Sequence, residues 1–195
     1  MPTLRICYLL SIFLATICFA PLVWAEESVS LFDGKTLKGW DVLTCEAVVK
    51  DSAILLTAGN GLVQSKKQYS NFVLEYEWKA IKSKGWDSGV YFRYTDVPKG
   101  RSWPGRYQVN LRQGMEGDLG GFPQGKNKIA TKDGEWNHFE LTVKGSTAAL
   151  KVNGKQAWKV DGIKVPKGFI ALQAEIPGGG QFLFRKVLIR ELGDQ

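Results

Sequence analysis

The chain has 195 residues and a net charge of +7, from 26 Lys and Arg against 19 Asp and Glu. It holds one histidine, His138, and three cysteines. That supply excludes a Cys/His zinc centre and leaves no second histidine from which to choose a Ser-His-Asp triad. No recognition-helix pattern accompanies the basic excess, so nucleic acid is not an expected partner.

The first 25 residues read as a signal peptide. Arg5 gives a positive start, residues 6–20 are almost wholly apolar, and Val23-Trp24-Ala25 offers a cleavage site. The apolar run is short for a membrane span. The bulky Ile17 before Cys18 makes a poor lipobox. The expectation is cleavage after Ala25, export to the periplasm or the extracellular space, and no membrane attachment beyond the signal. Cys7 and Cys18 then leave with the signal and Cys45 stands alone, so no internal disulfide is expected. Residues 26–195 form about 170 residues of a single expected domain, enough for a sizeable core.

From there on the chain shows no helical period. Short alternating runs separated by Gly, Asn, Asp and Pro recur to the end, which predicts an all-β, two-sheet antiparallel sandwich. Strands are expected at 30–32, 37–40, 47–49, 54–56 and 61–64. Residues 71–78 alternate, with Phe72, Leu74, Tyr76 and Trp78 inward and Val73, Glu75 and Glu77 outward. In residues 87–94, Val90, Phe92 and Tyr94 are expected inward, and Gly89, Tyr91 and Arg93 outward. Residues 106–112 place Tyr107, Val109 and Leu111 inward, and Gln108, Asn110 and Arg112 outward.

The glycine-rich stretch 114–132 predicts a long functional or mobile loop. Residues 136–144 form the next strand, with His138, Glu140 and Thr142 outward. Asn153-Gly154 joins strands at 148–152 and 156–160 by a tight hairpin. The closing pair is 168–174 and 182–192. Trp86 and Trp103, in polar loops, are expected as exposed sugar platforms. The Lys and Arg residues between 93 and 132 read as a solvated basic loop or a site for an anionic partner.

Several motifs together resemble one family. They are Leu31-Phe32-Asp33-Gly34, Leu37-Lys38-Gly39-Trp40, Asn71-Phe72-Val73-Leu74-Glu75-Tyr76-Glu77-Trp78, Asp87-Ser88-Gly89-Val90-Tyr91-Phe92-Arg93, Gly134-Glu135-Trp136-Asn137 and Phe184-Arg185-Lys186-Val187. The chain resembles the 3-keto-disaccharide hydrolase domain family over nearly its whole length after the signal. The resemblance implies a jelly-roll sandwich of the concanavalin A-like lectin/glucanase type and a carbohydrate substrate. Two departures stand out. Gln108, Asn110 and Arg112 lie on a strand where the family commonly carries acidic side chains, and Asp87 stands where Asn is usual.

The implied chemistry acts on a 3-keto-glycoside. The ketone acidifies the C2 proton; a base removes it, the enolate expels the C1 substituent, and water can then add. This requires a base, a group that stabilises the enolate oxygen and a proton donor. The residues proposed for these roles are Glu77 as base and Arg93 as enolate stabiliser. Tyr91, Gln108, Asn110, Arg112 and Gln173 are expected to bind substrate. Glu75 and Glu77 do not make a glycosidase pair, because parallel side chains on one strand cannot flank a bond. No resident cofactor is expected. A divalent cation remains open, without any calcium-loop spacing. Two other readings also stand: a non-catalytic glycan-binding module on the same fold, and an interaction domain that uses loop 114–132. The oligomeric state is not legible in the sequence.

Overall fold

The computed structural model describes residues 27–193. The expected signal segment and its cleavage site lie outside the described residues. All regular structure among those residues is β: β1 (Val29–Ser30), β2 (Trp40–Lys50), β3 (Ala53–Ser65), β4 (Phe72–Ala80), β5 (Gly89–Tyr94), β6 (Gln108–Asn110), β7 (Asn137–Lys144), β8 (Thr147–Val152), β9 (Lys155–Asp161), β10 (Phe169–Ile176) and β11 (Phe182–Glu191).

These strands make one curled antiparallel array in the order β6-β5-β10-β3-β11-β4-β7-β8-β9, with β2 on β3 and β1 on β11. It folds on itself as a jelly-roll sandwich because β3 serves both layers. Its first half, at Ile54 to Leu56, pairs β11; its second half, at Gly59 to Gln64, pairs β10. β2 runs beside β3 throughout, and its register slips between Leu43 and Cys45 and again between Glu46 and Ala47. These bulges bend the hairpin between layers, as an extra residue on one strand does. The bend needs glycine on the partner strand. A Cβ on Gly61 would lie 2.0 Å from the Leu43 carbonyl oxygen, and one on Gly59 would lie 2.9 Å from the Cys45 Cα.

The interior is filled by the inward residues of each strand. Phe72, Tyr76, Trp78, Phe92, Tyr107, Phe139, Phe182 and Phe184 are essentially inaccessible to water. Aliphatic and aromatic side chains of this size contribute roughly 1.5–3 kcal/mol each when fully buried. Val90, Val109, Ile170 and Leu172 line the core from the layer that carries β5, β6 and β10.

Three expectations change. Residues 37–40 make a turn closed by Trp40 N–H on the Leu37 carbonyl, not a strand. The separate runs at 47–49, 54–56 and 61–64 are pieces of two long strands. Trp86 is 2 % exposed and packs in the core, so it is no sugar platform. Loop 114–132 is tied down by its own chain. Leu119 bridges Val109, the Asp118 carboxylate accepts the Asn127 amide and pairs with Lys126, and the Asn127 side chain bonds the carbonyls of Glu116 and Ile129.

The close approach at Gly61 generates a test. Gly61→Ala forces backbone apart in a packed sheet, and overpacking of this kind costs roughly 1–3 kcal/mol. The expected result is a lower denaturant midpoint with an unchanged slope. A midpoint equal to wild type would show that the β2–β3 bend yields freely.

Candidate functional site

The outer face of the β6-β5-β10-β3 layer concentrates the site residues. Alternation on β10 turns Ala171, Gln173 and Glu175 outward, while Ile170, Leu172 and Ala174 face the core. Tyr91 lies opposite Ala171 on one side and Gln108 on the other. Leu62, Tyr91, Tyr94 and Ala171 form a small buried cluster of their own, with Val97, Trp103 and Phe169 packed against it. Trp103 is half-buried against this cluster, its Nε1 donating to the Ala174 carbonyl.

A bulge decides which β5 residues reach this face. Ile170 pairs Phe92 and Phe169 pairs Tyr94, so Arg93 is the extra residue, with φ of 47°. Tyr94 therefore shares the face of Tyr91, its hydroxyl donating to Gln64. Arg93 turns away and is 1 % exposed. Both residues reverse the simple alternation expected of the sequence.

Polar groups are ordered across the face by a relay of amides. Gln108 Nε2 donates to Gln173 Oε1 at 2.5 Å, and Gln173 Nε2 donates to Glu175 Oε2 at 2.9 Å. Gly89 makes room for this, since a Cβ there would sit 2.3 Å from Gln108 Nε2. Beside the relay, Arg112 Nε lies 3.8 Å from Asp87 Oδ2. Asn110 accepts the Arg112 amide on its side-chain oxygen. Desolvation and then the nearby Asp87 charge raise the Glu175 pKa, against the opposing pull of Arg112 and the Gln173 amide. Desolvation likewise raises Asp87, with Arg112 opposing. Desolvation and the two carboxylates push the Tyr91 phenol far above its ordinary range, so it stays protonated.

The face continues past β6, where Asp118 and Gly120 take up hydrogen bonds with Asn110 and Gln108. A groove of about 470 Å³ opens there, lined by Asn110, Asp118, Gly120, Phe122, Pro123 and Lys126 among others. Among the described residues, no group of three or more His, Cys, Asp or Glu side chains is placed to hold a metal ion.

The structure thus brings Tyr91, Gln108, Asn110, Arg112 and Gln173 together, and places Glu77 and Arg93 elsewhere. Glu77 is on the outer face of the other layer, opposite His138 and Arg185. Its carboxylate is held by Arg185 Nε at 2.6 Å and Lys186 Nζ at 2.8 Å. Burial favours the protonated acid, but the bonds and charges of Lys186 and Arg185 prevail and lower its pKa. A carboxylate so paired is a poor base. Arg93 is bound to Asn71, six residues before Glu77, which is about 20 Å along a strand. It cannot serve an enolate formed beside Tyr91.

Sequence reasoning misses Glu175 and marks Asp87 only as a departure from the family pattern. Glu175 was within reach of it, since it lies two residues beyond Gln173 on the same strand face.

The two layers predict opposite pH behaviour. The Glu77 pKa is depressed on folding, so its pairing stabilises above the unfolded value and is lost as pH falls through the folded one. Glu77→Gln should lower Tm at pH 7, with the difference closing in acid. Glu175 has a raised pKa, so its charged form weakens the fold above that value. Glu175→Gln keeps an acceptor for Gln173 and should raise Tm at pH 7, again converging with wild type as pH falls. Thermal scans across pH check both signs; equal signs would contradict this assignment of the two faces.

Comparison with known proteins agrees with this architecture. A carbohydrate-binding module from Bacillus subtilis superposes with a TM-score of 0.58 at 14% identity, covering 78% of this chain and 96% of that one. A candidate glycosyl hydrolase from Parabacteroides distasonis superposes with a TM-score of 0.68 at 22% identity, covering 86% of this chain and 100% of that one. At these identities the likeness shows the fold. A 3-keto-disaccharide hydrolase of Bacteroides thetaiotaomicron is 31% identical over 87 residues, covering 37% of this chain and 29% of that protein. The chain therefore matches less than a third of that relative's length. The sequence model of one family matches residues 27–190, almost everything the structure describes, and on that match the chain belongs to the 3-keto-alpha-glucoside-1,2-lyase-like domain family.

Proposed function

We propose that this protein is an exported enzyme that cleaves 3-keto-glycosides by elimination across C1 and C2. The observation that carries the reading is the ordered Gln108–Gln173–Glu175 relay beside Arg112, Asp87 and Tyr91, on a face tiled with aromatic rings. The family's name and the 3-keto-disaccharide hydrolase among its relatives support the substrate class. Export rests on the signal segment expected at residues 1–25.

Glu175 is the base in this scheme. The Gln173 amide occupies its Oε2, which leaves Oε1 to take the proton from C2. The electron pair of that C–H bond moves into the ring as the enolate of the 3-ketone. Arg112, permanently charged, stabilises the enolate oxygen, and Asp87 holds the guanidinium. The enolate then expels the C1 substituent, which leaves as an alcohol after taking up a proton. In this scheme Tyr91, kept protonated by its surroundings, donates it. The products are that alcohol and a sugar with a C1–C2 double bond; addition of water to the double bond completes net hydrolysis. Asn110 and the groove beyond it receive the departing half of the substrate. Gln108 and Gln173 are positioning residues as well as binders, because they orient the base.

The test is turnover of 3-keto-trehalose or a 3-keto-glucoside by the purified protein. The expected product is an unsaturated 3-keto sugar or 3-keto-glucose. Glu175→Gln should reduce kcat by roughly 10²–10⁴-fold, the usual worth of a general base, while Glu77→Gln leaves it unchanged. Saturable binding without turnover would instead make the face a glycan-binding site.

The acid limb of kcat/KM gives a sharper check. It should lie above the ordinary carboxylate range, since burial raises Glu175. Arg112→Ala removes an opposing charge and should move the limb up. Asp87→Asn removes a like charge and should move it down. A limb that ignores both changes would show that Glu175 is not the base.

A further inference from the structure

A second polar site lies where the β5 bulge sends Arg93. Its guanidinium is buried, and among the described residues no carboxylate comes within ion-pair distance of it. All its acceptors are neutral. Nε donates to the Ser70 carbonyl at 2.6 Å, Nη1 to those of Gly145 at 2.5 Å and Val165 at 3.4 Å, and Nη2 to Asn71 Oδ1 at 2.9 Å. A guanidinium has five N–H groups. The remaining one, on Nη2, has no acceptor among the described residues.

Arg93 also lines a groove of about 510 Å³, together with Ser70, Asn71, Gly145, Lys164 and Lys167. Neither lysine is ion-paired among the described residues. The nearby carboxylate of Asp161 is engaged by the Ser146 hydroxyl and the Gly162 backbone. A buried cation without a counter-charge is costly, and desolvation already lowers the Arg93 pKa. The groove thus gathers one guanidinium donor and two ammonium groups in one place.

We propose that this groove binds a small oxyanion, the carboxylate or sulfate group of a ligand, with Arg93 at its floor and Lys164 and Lys167 at its rim. Charge-assisted bonds to Arg and Lys are the ordinary means of holding such groups. The site is separate from the Tyr91 face, because the bulge turns Arg93 away from it, and the proposal does not depend on the reaction assigned above.

Arg93 ties three chain segments together, so replacing it endangers the fold. The test therefore uses the rim variant Lys164→Ala/Lys167→Ala, in residues outside the catalytic face. Inorganic sulfate and acetate are titrated into the purified protein at constant ionic strength, with chloride as the balancing salt. NMR follows the Arg93 Nε–H and the Gly145 amide. The expected result is saturable movement of these signals with sulfate or acetate, weakened about tenfold or more in the rim variant. The tighter-binding anion identifies the preferred group. Turnover of the 3-keto substrate is unchanged in the variant. Absence of saturation with either anion, equal shifts with chloride alone, or undiminished binding by the rim variant would overturn the proposal.

Discussion

The fold depends on one hairpin being able to belong to both layers. β2 and β3 run as a pair from Trp40 to Ser65 and hand over from β11 to β10 partway along. That handover demands that two backbones come closer than any side chain allows, at Gly61 against Leu43 and at Gly59 against Cys45. The two bulges carry their surplus residues on β3, one between Gly59 and Leu62 and one at Thr57. Once the hairpin is bent, β10 and β11 fall into different layers. The Gly-rich segment after Pro177 then needs only to connect them.

The candidate site follows from that arrangement. β10 enters the layer between β3 and β5, which puts Gln173 and Glu175 beside β3 just past the last residue that pairs with β5. A central strand fixes its side chains firmly, so the amide relay has a defined direction. Gln108 and Asn110 on β6 and Arg112 just after it bring no carboxylate to this face. The charge on this face comes instead from Glu175 and Asp87, on β10 and just before β5.

The sequence made the layer architecture legible because alternation reports burial directly, as at Phe72, Leu74, Tyr76 and Trp78. It made five residues of the candidate site's face legible for the same reason, since Tyr91, Gln108, Asn110, Arg112 and Gln173 occur at outward positions. It failed where the period of two is broken. The bulge at Arg93 exchanges the faces of Arg93 and Tyr94, and no local signal in Tyr-Phe-Arg-Tyr marks it. It also failed for Glu77, because pairing with Arg185 and Lys186 depends on a second bulge about 110 residues later, where the register shifts after Arg185. Trp86 looked exposed from its Gly, Lys and Asp neighbours, yet its own ring found the core. Composition describes a loop's average surroundings, not those of one large side chain.

The bent hairpin has a further effect at its outer side. Among the described residues β2 pairs with β3 alone, so its far edge offers unpaired backbone donors and acceptors over eleven residues, and Val42, Leu43 and Val48 are exposed along it. A flat strand of that kind would recruit a neighbouring chain. The bend between layers interrupts that edge, where Thr44 adopts a φ of 55°. The irregularity that closes the sandwich therefore also guards it against fibrous self-association.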